Sequence, residues 1–505
     1  MTRERMSREH RHITRRIIVK GTLTLTTPAC LSNGDTDSPV DIALLQDSIS
    51  NHALLTGTSL AGALRNYLRE YEYGYDVKEG SPGSEKSSLA VALFGGMRQD
   101  DDGEQSPLIV HDAISNAPPE VELRDGVRID GATGTVWINR NEEGEIIGGA
   151  KYDLALLAAG TEFPLYFELL IDQTADEQKL KEALVIALRG LEQQGIGLGM
   201  KKRRGFGRCQ VKTWDVWQFD LKEGADRLAW LTFDRDWAVA YASQPRQGSM
   251  VQALSITPTQ VDSRQFFKMA ARMKLDSSLL IRSGQADGES APDVVHLKSQ
   301  RNSKLKPILS GTSLAGVLRH RATRIINTIR QSTNSDGLSL VDELFGFVEE
   351  SKAASSRLIV HESVIEGGVD LIQNRIAIDR FTGGAYHGAL IDERPIWGVD
   401  ETSVTLELVL RSPSKSEVGL LLLLLKDLWT GDLPVGGEAS IGRGRLRGDR
   451  ATLTHRRDGR LIEWKLANDG QLEQGNAKDL QNFVDALWKD ILADKKESLA
   501  VKEAA

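Results

Sequence analysis

The sequence predicts an α+β protein of two ferredoxin-like units in tandem, each ordered β-α-β-β-α-β. Three observations predict it. First, the chain repeats itself: TGTSLAGALR at 56–65 returns as SGTSLAGVLR at 310–319 with eight identities in ten. Second, further matches follow in the same order: ALFG at 92–95 with ELFG at 343–346, LIVHD at 108–112 with LIVHE at 358–362, and GVRIDGATG at 126–134 with NRIAIDRFTGG at 374–384. Their offset drifts only from 254 to 249, the mark of a tandem duplication. Third, each copy closes on a Gly-rich loop, RRGFGR at 203–208 and SIGRGR at 440–445.

Taken in order, residues 17–31 alternate in their middle part and read as a strand, with 266–281 as the counterpart. Gly57 or Thr58 then caps a helix carrying Leu60, Leu64 and Leu68 on one face. Short β-rich pieces at 107–112 and 163–171 correspond to 357–361 and 402–410. A second helix spans 177–193, with Leu180, Leu184, Leu188 and Leu191 on one side, and its partner at 416–429 contains a poly-Leu run. That run, Val418 to Leu425, is too short to span a bilayer and reads as a buried helix. The expected units are 1–213 and 266–448, joined by a Trp-rich connecting segment at 214–265 and followed by an appendage at 449–505. In the appendage, Asp458-Gly459 marks a hairpin turn and 477–493 an amphipathic helix.

Composition sets limits. A chain of 505 residues with 40% hydrophobic and 27% charged residues has material for real cores. Its two cysteines, Cys30 and Cys209, supply neither a disulfide framework nor a CxxC zinc site, as expected in a reducing cytoplasm. The basic N-terminus MTRERMSREHRHITRR has no apolar core and is not a signal peptide, so membrane and secreted readings are set aside. A net charge of -8 argues against nonspecific coating of nucleic acid but leaves room for local basic patches. No HExxH, P-loop or GxSxG motif is present.

The densest such patch is LGMKKRRGFGR at 198–208, with Lys201, Lys202, Arg203, Arg204 and Arg208. Glycines let backbone approach phosphate and the cations supply counter-charge. Its helix-loop-strand setting is the reverse of a dinucleotide fingerprint. The second copy keeps the glycines but only Arg443 and Arg445, so the first is expected to grip RNA harder. GTSLAG opens a helix where free N–H groups favour an anion, with Thr58, Ser59, Thr312 and Ser313 adding hydroxyls; plain N-capping is the alternative. The loops before these helices are acidic: Asp35, Asp37 and Asp41, then Asp287, Glu289 and Asp293. Such a carboxylate can orient a 2′-hydroxyl, act as a base or hold Mg²⁺, or simply form a turn. His111 and His361 end matched strands and read as core residues or as a general base.

Together, DSPV (37–40), GTSLAGALR (57–65), VRIDGATG (127–134) and the Gly-rich loop resemble the RAMP superfamily, the backbone proteins of type III CRISPR effector complexes. The second copy matches through GTSLAGVLR (311–319), IAIDRFTGG (376–384) and GRGR (442–445). The resemblance covers most of 17–213 and 266–448 and implies two fused backbone units, each a ferredoxin-like palm with a hairpin thumb. RNEEGEII, within 132–150, is the expected thumb tip.

The resemblance implies that the chain binds CRISPR RNA and, with a divalent metal such as Mg²⁺, cleaves paired target RNA. Its other implied partners are the remaining RAMP and large subunits of such a complex. The loop aspartate that cuts matches Asp37; in the second copy Ser290 falls at the gapless position, with Asp293 the nearest carboxylate and Asp287 behind it. Arg128 and Arg380 accompany Asp130 and Asp379 in a motif read as structural or guide-contacting. Two rivals remain: a scaffold that only holds the guide, and a guide-processing endonuclease using His111 or His361.

Overall fold

The structure, a computed structural model, describes residues 12–32, 34, 42–75, 77, 88–96, 105–130, 133, 135–140, 146–149, 151–233, 247–283, 292–331, 339–349 and 352–504. The first copy is built from β1 (Ile13–Leu25), α1 (Gly57–Tyr73), β2 (Leu108–Val110), β3 (Glu162–Asp172), α2 (Glu177–Glu192) and β4 (Cys209–Asp220). Its sheet has the order β4-β1-β3-β2, antiparallel throughout. Because β1 and β2 are not neighbours, each β-α-β unit is split by a third strand, as the element order predicts.

The second copy repeats this with β5 (Phe266–Leu275), α3 (Gly311–Arg330), β6 (Leu358–Val360), β7 (Ser403–Arg411), α4 (Lys415–Trp429) and β8 (Leu446–Arg457), ordered β8-β5-β7-β6. β9 (Arg460–Leu466) extends this sheet, and α5 (Ala477–Ala504) packs on α4. Asp458 and Gly459 both take positive φ, 50° and 73°, the left-handed turn that the Asp-Gly pair predicts.

Each copy has its own core. Ile17, Val19 and Leu23 of β1 face Leu60, Leu64 and Leu68 of α1 and Leu184, Leu188 and Leu191 of α2. In the second copy Met269, Ala271 and Met273 meet Leu314, Leu318, Leu421 and Leu425, and α5 adds Phe483, Leu487 and Ile491. The poly-Leu helix is thus covered on both sides, which is why its sequence lacks a polar face. Gly419 lets α5 come close, since a Cβ there would strike the Phe483 carbonyl. No helix among the described residues is long and apolar enough to cross a membrane.

Several expectations are corrected in detail. β1 starts four residues before the expected 17–31 and ends at Leu25, and β5 stops at Leu275 short of 281. The helix caps are Thr56 and Ser310, one residue before the glycines, each accepting from the N–H of residue 59 or 313. The expected boundaries at 213 and 448 fall inside β4 and β8. Trp214 and Trp217 are therefore strand residues of the first copy rather than part of a connecting segment. Trp214 is fully buried and donates Nε1–H to Glu192 Oε1 at 2.9 Å. Trp217 packs on the opposite sheet face, edge-on to Phe233.

Candidate nucleic-acid interface

Four features were expected to meet RNA: the helix starts, the hairpins, the basic loops and the acidic loops. At the first helix start, Thr56 Oγ1 accepts from Ser59 N (3.3 Å) and donates to Ser59 Oγ (2.9 Å), while Thr58 Oγ1 donates to Thr56 Oγ1 (3.2 Å). The Gly57 N–H donates to Asp112 Oδ1 at 2.6 Å, so a carboxylate of the chain itself already stands at this dipole. In the second copy Ser310 binds Ser313 and Thr312 in the same way. Thr58 and Ser59 are exposed, whereas Thr312 and Ser313 are half-buried. The N-capping alternative therefore accounts for the hydroxyls at both starts.

Each copy raises a hairpin. In the first, Val121–Val127 pairs with Lys151–Leu157, and Ile138–Arg140 with Ile146–Gly149 beyond it. The expected tip falls here, with residues 141–145 outside the described set. In the second, Gln373–Ile378 pairs with Ala385–Arg394. Asp379 closes the turn of the second hairpin, accepting from Phe381 and Thr382 N (2.6 and 3.1 Å), while Asp130 accepts from Thr133 N (3.0 Å) in a separate turn between the paired Ile129 and Val136. Arg128 lies over Trp137 at 4.5 Å and stays exposed, as does Arg380. Next to it Phe381 is 97% exposed, at the end of a strand pair whose Ile376, Ile378, Tyr386 and Leu390 are also in solvent. So much apolar surface on an isolated hairpin is unusual and marks a contact surface.

The basic loops are not what their composition suggests. Arg203 donates to the Ser356 carbonyl (2.7 Å) and Arg204 to the Phe345 carbonyl (2.9 Å) and Ser356 Oγ (3.2 Å). Arg208 pairs with Glu407 at 3.0 Å. All these partners lie in the second copy, so the first copy's excess charge fastens the two units together. The expectation of a five-cation RNA grip is corrected accordingly. Lys201 sits 3.7 Å from the Tyr152 ring centroid, and Lys202 alone of the five is exposed. In the second loop Arg443 is buried, bonded to Glu393 (2.8 Å), Glu438 (2.9 Å) and Gln373 (2.7 Å), which ties the loop to the base of its hairpin; Arg445 is exposed. At the matching place in the first copy, Phe206 packs on Leu154 and Leu156.

The sequence reading missed the rest of this junction. Arg124, in the base of the first hairpin, reaches Glu362 at 3.0 Å, and Arg301 contacts the same carboxylate. Glu122 accepts from Ser299 Oγ (2.9 Å) and Gln300 N (2.8 Å). The only sequence signal was the carboxylate ending LIVHE. His361 beside it is pushed down to about 4 by burial and by the nearby Arg208 charge. Burial opposes ionisation of Glu407, but the Lys268 hydrogen bond and the Arg208 charge carry it down to about 2.

Of the acidic loops, Asp35, Asp37, Asp41, Asp287 and Glu289 lie outside the described residues. Asp293 is described: exposed, with Oδ2 accepting from the Asp392 N–H at 3.1 Å. The parallel pairs Ile42–Leu154 and Val294–Glu393 occupy corresponding places in the two copies. This register sets Asp293 level with position 41 rather than with Asp37. Among the described residues no group of three His, Cys, Asp or Glu side chains forms a metal cluster.

His296 closes the base of the second acidic loop. Its Nδ1 lies 3.2 Å from Ile281 N and 3.1 Å from the Leu279 carbonyl, and its Nε2 lies 3.0 Å from the Ile308 carbonyl. Burial lowers it to about 4. Between the unfolded value near 6.5 and this folded value the unfolded chain binds the extra proton, so stability falls as pH falls through that window. By ~pH 5 the loss from His296 amounts to about 2 kcal/mol. His361 adds in the same direction. Denaturant midpoints from pH 7 to 5 check this: His296→Gln, an uncharged polar replacement, should flatten the slope, and an unchanged slope would refute it.

The sequence profile of the RAMP superfamily matches residues 22–210 and 272–447, well over half the chain and one region in each copy. No curated protein matches the chain.

Proposed function

Because the chain belongs to the RAMP superfamily, and so has a CRISPR-associated RNA-binding role, we propose that it is a two-unit backbone subunit of a type III effector that holds CRISPR RNA and cuts paired target RNA. The observation that carries this reading is the fixed docking of two RAMP units in one chain, each with a protruding hairpin. Guide pairing would supply sequence specificity, leaving backbone contacts to the protein. The exposed groups suited to that duty are Thr58, Ser59, Arg128, Lys202, Arg380 and Arg445. The bare apolar end at Phe381 fits a wedge between bases, where unstacking aligns a 2′-hydroxyl for in-line attack.

Asp37 is the proposed catalytic carboxylate of the first copy. It would hold a divalent cation, which supplies charge neutralisation at the phosphate. Counting back five residues from Val294, as Asp37 is counted back from Ile42, reaches Glu289 rather than the Ser290 that alignment on the prolines gives; we assign the second copy's acid to Glu289 on that count and a loop-fastening role to Asp293. The scaffold rival differs in its outcome. The histidine rival is disfavoured by His361, which is drawn into the junction and made a weak base by burial.

The test is cleavage of a guide-complementary RNA by the assembled complex with Mg²⁺, mapped to the nucleotide at equal guide occupancy. Asp37→Ala should remove one cut, Glu289→Ala another and Asp293→Ala none. Survival of every cut in all variants would leave the chain a scaffold.

A further inference from the structure

The contact between the copies is head-to-tail. The tail of the first copy (Arg124 and the loop 203–208) grips the head of the second (Gly311, Phe345, Ser356, Leu358 and Glu362). Because the copies are repeats, the first copy owns a head as well, and most of its receiving atoms are in place. Ser106 Oγ donates to the Leu93 and Leu108 carbonyls at 3.1 and 2.8 Å, as Ser356 Oγ does to those of Leu344 and Leu358 at 3.1 and 2.6 Å. Phe94 stands for Phe345, and among the described residues its carbonyl receives a long 3.5 Å contact from Arg65.

Asp112 stands for Glu362, and Gly57 for Gly311. A Cβ at Gly311 would strike the carbonyls of both Val360 and Arg204, whereas the nearest atoms at Gly57 belong to its own copy, Val110 and His111. Burial records the difference: Ser356 and Glu362 are 6% and 8% exposed, while Asp112 is exposed and Ser106 half-exposed. Among the described residues one head is covered and the other is bare.

We propose that the bare head, formed by the Phe94 and Leu108 carbonyls, Ser106 and Asp112, docks a Gly-rich loop of another protein bearing adjacent arginines, and that this protein is not a second copy of the chain. The second copy's tail has the right backbone. Glu438 and Lys201 share left-handed φ of 61° and 52°, and Gly442 and Gly205 share 90° and 91°. It lacks the side chains. In this frame Ser440 and Ile441 replace Arg203 and Arg204, and Gln373 replaces Arg124. Arg445 would meet Tyr166, because that residue holds the place of Glu407: the His111 N–H donates to the Tyr166 carbonyl as His361 N–H does to that of Glu407. The occupant is therefore a different unit with its own arginine clasp. The inference rests on the backbone reading above only for the kind of partner, another unit of this fold.

The test grafts the missing clasp onto the full chain as Ser440→Arg/Ile441→Arg/Tyr166→Glu and follows sedimentation against protein concentration without RNA. The wild type should remain a single species. The grafted chain should associate with itself, and Ser106→Trp or Asp112→Arg added to it should weaken that association roughly tenfold or more. A grafted chain that melts like the wild type yet does not associate would overturn the proposal. So would association indifferent to both head substitutions, or a wild type that associates through this head. Guide-RNA binding by the same variants is a separate readout: normal binding without association defeats this inference alone, and association without RNA binding defeats the RNA reading alone.

Discussion

Glu362→Ala is expected to weaken the junction between the two copies by about 3 kcal/mol, the low end for breaking a buried pair, because Arg301 loses its carboxylate while Arg124 keeps only Glu122, at 3.0 Å. The Glu362 side chain is fully buried, and Arg124 and Arg301 are only 5% and 11% exposed, so neither arginine can recover solvation where it stands. The expected readout is hydrogen exchange, with faster opening at the amides of 203–208 and 358–362 while the two cores keep their protection. Arg124→Ala should cost less, since Arg301 still neutralises the carboxylate. The double variant should fall well short of the sum, as for any pair in direct contact. Exchange rates at those amides unchanged in Glu362→Ala would show that the copies are held by something else.

Trp214→Ala should cost about 3–5 kcal/mol of first-copy stability, the range for truncating a fully enclosed aromatic. Its ring lies where a Cβ on Gly21 would need to be, 2.6 Å from that position, and its Nε1–H holds Glu192 at the end of α2. Glu192 Oε1 also accepts from the Met250 N–H at 2.7 Å, so one residue joins β4, α2 and the segment that leads to the second copy. Denaturant titration decides the matter. A tryptophan on a connecting segment would cost little, and a loss under about 1 kcal/mol would return Trp214 to that role.

These two residues also show what was legible in the sequence. The strands and helices of both copies were readable because their apolar periods face a core: Leu60, Leu64 and Leu68 announce α1, and Leu180 to Leu191 announce α2. The boundary at 213 was not, because composition changes at Trp214 while the backbone continues as β4 to Asp220. The RAMP motifs located both units, and the family profile matches one region in each copy, 22–210 and 272–447.

The candidate site was less legible. A loop such as KKRRGFGR looks the same whether its cations face phosphate or the carbonyls of Phe345 and Ser356, since those partners lie more than a hundred residues away. Arg124 carried no signal at all, being one arginine in a short strand. Asp379 and Asp130 accept from N–H groups only two or three residues away, the kind of local partner a sequence can show.

The fusion has a consequence for how the units can change. In a string of identical subunits one surface must satisfy every contact of its kind, so each substitution is tried at all of them at once. Joined in one chain, the two heads answer to different neighbours. Glu407 can serve Arg208 while the same place holds Tyr166 in the other copy, and Phe206 can be apolar where Arg443 is charged. Covalent linkage breaks the symmetry and frees each face to drift apart from its counterpart.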